Sequence, residues 1–568
     1  MKKMLVMMLC AAMTMSMAVP AMAAEASDSV DLSENVTIRI GGIDQEDSDN
    51  IDGWPLENIA ELEEKLNVTF EMEYYDKESY NLDLAGGNTT DIVVVTDEYL
   101  NSVLKGKHAV NLEEYADYAG NILSDKYSFR NNVMKKFKSN GEDKLYFVSG
   151  KVTVGEPVES VSATPFGYVV RWDLYKEIGC PEIRTTEDYV EALKKMKEIY
   201  PETEEGLPTY ALGAYNETGL HPYYIYGCLA LGYNNMEGGM YVQNVTTNEL
   251  IPDVYDKDLD GQVTPFWETI KLYRMLYQEG LLDPDNFITK GEDLVEKYTK
   301  GQYLGGYMNW HYGIWNSNKY AENPESLEQY IVLPNYMGWT NDSSTAGERY
   351  MYVSSHSKNI ERAVMVLDYL QSEEWARKLY NGADGRWEVS EDGAALTEDT
   401  ISMKVDPERQ DEYAKSGIQQ GTMITYTGLR ESNVASDGKP INLWIDKDIV
   451  KETLKPVEKD MCETLGVEIP ADILNNRIEA GEAVDLRNVN SLIPNVMDVI
   501  PDDIKRINSN CDEIAVNMVP DLVMASEEDF PQVKEALLQE LEGAGVKDSI
   551  DWYMDAWNRA KESVDSLK

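Results

Sequence analysis

Residues 36 to 95 switch repeatedly between two hydrophobic periods, and that switching restricts the fold more than any other feature of the chain. Val36 to Gly42 (VTIRIGG) alternates as a strand does, Leu56 to Leu66 sets Ile59, Leu62 and Leu66 on one helical face, and Val68 to Tyr75 returns to strand. Asp91 to Val95 (DIVVV) follows the turn Gly86-Gly87-Asn88 as the continuous apolar run expected of a strand buried on both faces. Strands separated by helices pair in parallel, because a parallel neighbour can be reached only through a crossover. The chain is therefore expected to be α/β.

The pattern restarts further on. Thr185 to Tyr200 opens with a Thr-x-x-Asp cap and puts Tyr189, Leu193 and Met196 on one face. Trp267 to Gly280 reads as a helix closed by a C-cap glycine, and Gly301 to Asn309 as a strand. Arg362 to Leu370 and Glu373 to Tyr380 are two further helices. From about residue 486 the chain reads as mostly helical, broken by Pro494, Pro501, Pro520 and Pro531. With 568 residues, 43% of them hydrophobic, the chain exceeds what one core usually supports. At least two globular lobes are expected, joined by short crossings, since no long Pro/Gly/Ser linker occurs.

The first two dozen residues stand outside the fold. Lys2 and Lys3, the apolar run Met4 to Val19 and Ala21-Met22-Ala23 have the form of a cleaved export signal over 1–23. The run is too short to span a membrane. Cys10 follows Leu9 rather than a small residue, so lipidation there is not expected. Cys180, Cys228, Cys462 and Cys511 remain, read as buried free thiols or one bridge.

Charge narrows the partners. The 51 basic residues face 102 acidic ones, a net charge of −51, and such a field repels polyanions. Nucleic acid and anionic membrane surfaces are poor partners for such a chain; a neutral or cationic ligand is favoured. The four histidines, His108, His221, His311 and His356, have no zinc-ligand spacing, and neither a G-x-S-x-G elbow nor a P-loop occurs. A carboxylate pair suited to glycoside hydrolysis remains open among so many acids. No cofactor is expected, with one reservation for calcium. Asp256, Asp258 and Asp260, followed by Gly261, match the first half of a calcium loop, but position twelve is Trp267 instead of glutamate. A hairpin turn is the simpler reading.

Tyr (36) and Trp (11) far outnumber Phe (8), which favours rings with a polar handle and suits stacking against sugar C–H faces. Several segments then resemble, in shared order, the extracellular solute-binding proteins of carbohydrate-type ATP-binding-cassette (ABC) importers, the group of maltose- and oligosaccharide-binding receptors, in its larger, lipoprotein-like branch. They are Leu84-Ala85-Gly86-Gly87-Asn88 with Asp91-Ile92, Asp143-Lys144-Leu145-Tyr146, and Tyr168-Val169-Val170-Arg171-Trp172-Asp173-Leu174. Leu276-Tyr277-Gln278-Glu279-Gly280-Leu281-Leu282-Asp283-Pro284, Ser357-Lys358-Asn359 before Ala363 to Leu370, and Gly382-Ala383-Asp384-Gly385-Arg386-Trp387 complete the set. In the last of these Asp384 stands where the family's turn carries glutamate.

The resemblance implies a two-lobed periplasmic-binding-protein-like fold of type II, with discontinuous lobes around a hinge: 31–160 plus 345–440 in one, 165–340 plus 441–568 in the other. It further implies a monomeric receptor without enzymatic activity. A carbohydrate, expected to be a neutral oligosaccharide, is captured and delivered to membrane permease subunits, the protein being periplasmic or held at the extracellular surface. Ligands of open α/β sheets lie beyond the carboxyl ends of strands. Trp310, His311, Tyr312 and Trp315 follow the strand ending near Asn309 and are expected to line the ligand, with core packing the alternative for the tryptophans. Trp54, after the first strand, is a stacking residue or a hydrophobic staple. Tyr168 and Arg171 stand at the inferred first crossing, where Arg171 binds a sugar or pairs with Asp173. Arg386 and Trp387 form a stacking wall or a turn anchor, and Asp91 accepts sugar hydroxyls or braces the sheet edge. A secreted glycoside hydrolase and a surface polysaccharide-capture protein are the alternatives in function.

Overall fold

The computed structural model describes residues 32–43, 57–87, 90–155, 157–158, 161, 166–214, 219–236, 240–308, 311–338, 349–418, 428–485 and 492–567. They fall into two compact units. The smaller is built from the segments ending at Gln45, Leu62–Val148 and Met351–Gln371; the larger takes the segment ending at Glu61, Ser149–Tyr350 and Ser372–Lys568.

In the smaller unit the strand Val36–Ile43 pairs in parallel with Val68–Tyr75 on one side and Ile92–Val95 on the other. Tyr350–Val353 and Val148–Ser149 complete a five-stranded sheet. Ile92 to Val95 are all buried, as an apolar run without alternation requires. The helix Glu57–Leu66 supplies the crossover between the first two strands, with Ile59, Leu62 and Leu66 buried as the periodicity predicts.

The larger unit is centred on a three-stranded sheet in which Phe166–Arg171 lies between Gly305–Met308 and Tyr330–Leu333, antiparallel to both. The flanking strands therefore run the same way, and their carboxyl ends share the sheet edge where Phe166 begins. Helices Thr186–Ile199, Ile225–Leu231 and Pro265–Gln278 cover this unit, and three long helices, Asp502–Met524, Phe530–Ala544 and Val546–Asp565, close the chain. Thr185 and Asp188 form the reciprocal cap expected of them. Pro520 is an exception to its expected role: it lies inside Asp502–Met524, where Val519, Leu522 and Val523 are fully buried. Packing on both sides outweighs the hydrogen bond that proline removes. The four cysteines Cys180, Cys228, Cys462 and Cys511 are free.

The units differ from the expected lobes. Segments 57–61, 149–158, 349–350 and 372–440 group with the larger unit, the last of them for a local reason. Ala394, Leu396, Met403, Ile418, Leu443 and Trp444 form one apolar cluster that a boundary at 440 would cut. Arg377 donates to the Pro440 carbonyl at 2.7 Å, Asn381 accepts from the Leu443 N–H at 2.7 Å, and Lys378 meets Glu61 at 2.6 Å.

Two buried carboxyls set a pH dependence. Asp253 is fully buried, accepts the Phe266 N–H at 2.9 Å through Oδ1, and has no partner for Oδ2 among the described residues. Burial raises it to about 7 and raises Asp368 to about 6. Both lie above the value near 4 of an unfolded aspartate. Their contribution to stability is present below about pH 4 and is lost as pH rises through 6 and 7. Asp253→Asn keeps an acceptor for Phe266 and removes the ionisation. It is expected to stabilise the protein at pH 8 by about 2–4 kcal/mol and hardly at all at pH 4.5. Superimposable melting-temperature curves against pH for the two proteins would contradict this.

Candidate functional site

The common carboxyl edge of Gly305–Met308 and Tyr330–Leu333 is where an open sheet leaves room for a ligand. Two residues past Leu333 stands Asn335, 1% exposed, and neither its amide oxygen nor its amide nitrogen has a hydrogen-bond partner among the described residues. A buried amide normally satisfies both. Tyr336 beside it is 41% exposed. Its ring rests against Gly232, the left-handed C-cap (φ +76) of Ile225–Leu231, where a Cβ would meet the ring at 2.9 Å.

Two imidazoles stand near each other past the end of the other flanking strand, Gly305–Met308. His311 follows Met308 by three residues, is buried, and stacks on Tyr298 with centroids 6.1 Å apart. Burial pushes it down to about 4, and nearby His221 adds to the shift. His221 is itself lowered by burial, and its Nδ1 has no partner among the described residues. Both rings are therefore neutral at physiological pH and offer one donor and one acceptor each. The short helix His221–Tyr223 is held in place by the Tyr307 hydroxyl, which donates to the Pro222 carbonyl at 3.0 Å. Tyr336 offers an exposed ring, and the Asn335 amide and the two imidazoles are uncharged hydrogen-bonding groups, a chemistry suited to an uncharged polyhydroxyl ligand.

Most other residues singled out from the sequence serve the frame. Asp91 is 6% exposed; Oδ2 accepts the Arg39 N–H at 2.8 Å and Oδ1 accepts the Ser357 hydroxyl, so the carboxylate braces the sheet edge. Tyr168 is 2% exposed and packs on Tyr189 at 4.9 Å. Arg171, equally buried, makes a bidentate pair with Asp173 at 2.8 and 2.6 Å, the second of its two expected roles. Tyr312 and Trp315 belong to the apolar cluster of Val169, Leu294, Tyr298, Tyr303 and Tyr330, and the Trp315 indole donates to the Glu328 carbonyl at 2.7 Å. Arg386 clasps Glu57 at 3.0 and 2.8 Å, and Trp387 donates to the Gly382 carbonyl at 3.2 Å, an anchor of the turn. Trp54 and Trp310 lie outside the described residues. Asn335 and Tyr336 were missed, although the strand-end rule that selected His311 applies equally to the run Tyr330 to Leu333.

Asp256, Asp258 and Asp260 are the residues of the partial calcium loop. The Asp256 carboxylate holds Lys534 at 2.5 Å, and among the described residues no three acidic, histidine or cysteine side chains converge as metal ligands. A groove of about 440 Å³ bounded by Glu187, Glu191, Lys194 and Gln278 is a furrow between helices, bridged by the Lys194–Glu279 pair at 2.5 Å.

No protein-family model and no curated protein matches the sequence. Solved structures do match in fold. The Streptococcus pneumoniae ABC-transporter substrate-binding protein FusA, in complex with kestose, aligns at a TM-score of 0.59 and 13% identity over 93% of this chain and 100% of that one. An HMO-binding, ABC-transporter-associated solute-binding protein from Bifidobacterium longum infantis aligns at 0.56 and 14% over 92% and 99%. The N-glycan transport solute-binding protein NgtS of S. pneumoniae aligns at 0.53 and 15% over 92% and 98%. The chain has the fold of the ABC-transporter substrate-binding proteins.

Proposed function

We propose that this protein is the substrate-binding receptor of an ABC importer, that it captures a neutral oligosaccharide, and that it hands the sugar to membrane permease subunits without altering it. The observation that carries this reading is the unpartnered amide of Asn335 past the carboxyl end of Tyr330–Leu333, next in the chain to the exposed Tyr336. Sugar hydroxyls donate to the amide oxygen and accept from its nitrogen, and a sugar face stacks on the ring. A net charge of −51 discourages acidic sugars. The proteins of like fold support the reading: FusA is complexed with kestose and the Bifidobacterium protein binds HMO. No described helix is long and apolar enough to cross a membrane, and the proposal places the mature protein, a monomer, in the periplasm or at the outer surface.

The test is a thermal-shift screen of the mature protein against neutral mono- and oligosaccharides, with product analysis of each hit. A sugar at 100 times its dissociation constant stabilises by about 2.7 kcal/mol. A raised melting temperature with the sugar recovered intact is the expected result. Accumulating products would make the protein a hydrolase, and silence across the screen would remove carbohydrate from the proposal. Trp310 and Trp54 belong to the proposed site on sequence grounds. With a hit in hand, Trp310→Ala is expected to weaken binding at least tenfold, about 1.4 kcal/mol, at a nearly unchanged melting temperature.

A further inference from the structure

The segment Asp256 to Val263 joins the strand Leu250–Pro252 to the helix Pro265–Gln278 and carries the opening of a calcium loop without its closing glutamate. Its geometry explains how such a loop holds together. The Lys534 ammonium lies 2.5 Å from Asp256 Oδ2 and 4.0 Å from the centre of the Trp267 ring. Position one of the loop thus supplies a carboxylate, and position twelve an aromatic face, to the same cation. A calcium ion needs six or more oxygens, whereas an ammonium is well served by one carboxylate and a ring.

The surroundings are built for that pairing. Trp267 is 7% exposed and is fixed by its indole N–H, which donates to the Val254 carbonyl at 3.1 Å, and by Phe530 packed edge-on at 6.4 Å. The main chain closes on itself, with the Leu259 N–H donating to the Asp256 carbonyl at 3.0 Å and Asp260 and Gly261 both at positive φ. Asp258 and Asp260 are exposed and have no ion-pair partner among the described residues. Lys534 belongs to the helix Phe530–Ala544, which grips the loop a second time: Glu542 accepts the Tyr255 hydroxyl at 2.6 Å and meets Lys257 at 3.3 Å.

We propose that Lys534 takes the place of a divalent cation in this loop, so that a lysine ammonium shared by Asp256 and Trp267 ties the Asp256–Val263 segment to the C-terminal helices. This loop then has no calcium requirement. The pairing of Lys534 with Asp256 and Trp267 does not depend on what the protein binds.

Two measurements on the full mature chain test it. After chelator treatment, titration with calcium chloride to 2 mM is expected to give no binding heat and no change in melting temperature beyond about 1 °C. A saturable heat accompanied by a raised melting temperature would overturn the proposal. In a double-mutant cycle, Lys534→Met keeps the apolar stem over Trp267, and Asp256→Asn removes the other charge. Each is expected to lower the melting temperature by about 3 °C, and the double variant little further than either alone. Lys534→Arg is expected to retain stability. Losses that add in the double variant would show that Lys534 acts through something other than Asp256, and the proposal would fall.

Discussion

Gly227→Ala is expected to destabilise the larger unit by about 3–5 kcal/mol. Gly227 lies in the helix Ile225–Leu231, where it faces the first turn of Pro265–Gln278. A Cβ there would lie 1.9 Å from the Pro265 carbonyl oxygen and 2.5 and 2.6 Å from two further main-chain atoms of Pro265. Main chain cannot rotate aside as a side chain can, so the helices must separate. Their contact is also bonded: the Gly227 N–H donates to the Thr269 hydroxyl at 3.0 Å, and that hydroxyl donates to the Pro265 carbonyl at 2.9 Å. Separation breaks both. Because Ile225–Leu231 runs between His221 and Gly232, the strain passes directly to the proposed site, and ligand binding should fail with stability. Gly543→Ala is the control. It lies in Phe530–Ala544 with nothing within 4 Å of its would-be Cβ, and alanine there is expected to stabilise by up to about 1 kcal/mol. Chemical denaturation of the two variants checks the pair; equal stabilities would refute the close-contact argument.

Asn335→Leu is expected to move stability and binding in opposite directions. An amide buried to 1% exposure with both polar atoms unpartnered costs about 1–3 kcal/mol, so an apolar replacement of similar size should raise the melting temperature by a few degrees. If those atoms await sugar hydroxyls, the same substitution should weaken the ligand found by screening at least tenfold, about 1.4 kcal/mol. Isothermal titration with parallel melting curves reads both quantities. A lower melting temperature would mean that the amide is satisfied in solution, and unchanged affinity would remove Asn335 from the site. Asn335→Asp, which buries a carboxylate, should melt below the wild type at neutral pH.

Several of the site assignments drawn from the sequence changed character in the structure for one physical reason. Arg171, Arg386 and Asp91 are polar residues at strand ends or turns, the positions and chemistries that a ligand site uses. Whether such a group is free depends on what meets it. Asp173 takes Arg171, Glu57 takes Arg386 from more than 300 residues away, and Ser357 with the Arg39 amide takes Asp91. Trp315 shows the same ambiguity for rings, since an indole beside a strand end stacks on a sugar or fills the core, and here Tyr330 and Val169 claim it. Asn335 is the converse case: an ordinary residue in sequence, distinguished only because nothing in the described structure satisfies it.

Local period and local capping are properties of consecutive residues, and these were legible without coordinates. The strand Val68–Tyr75 begins and ends where its sequence pattern does, the Ile92–Val95 run is buried throughout, and the Thr185 cap closes on Asp188. The α/β class follows from their order. What required the tertiary structure was every question of partnership across distance. The grouping of 372–440 with the larger unit, the occupation of the Asp256 loop by Lys534, and the vacant hydrogen-bonding capacity of Asn335 each depend on side chains brought together from remote parts of the chain. Hydrophobic period reports which face a residue buries. It carries no record of which distant residue will be waiting there.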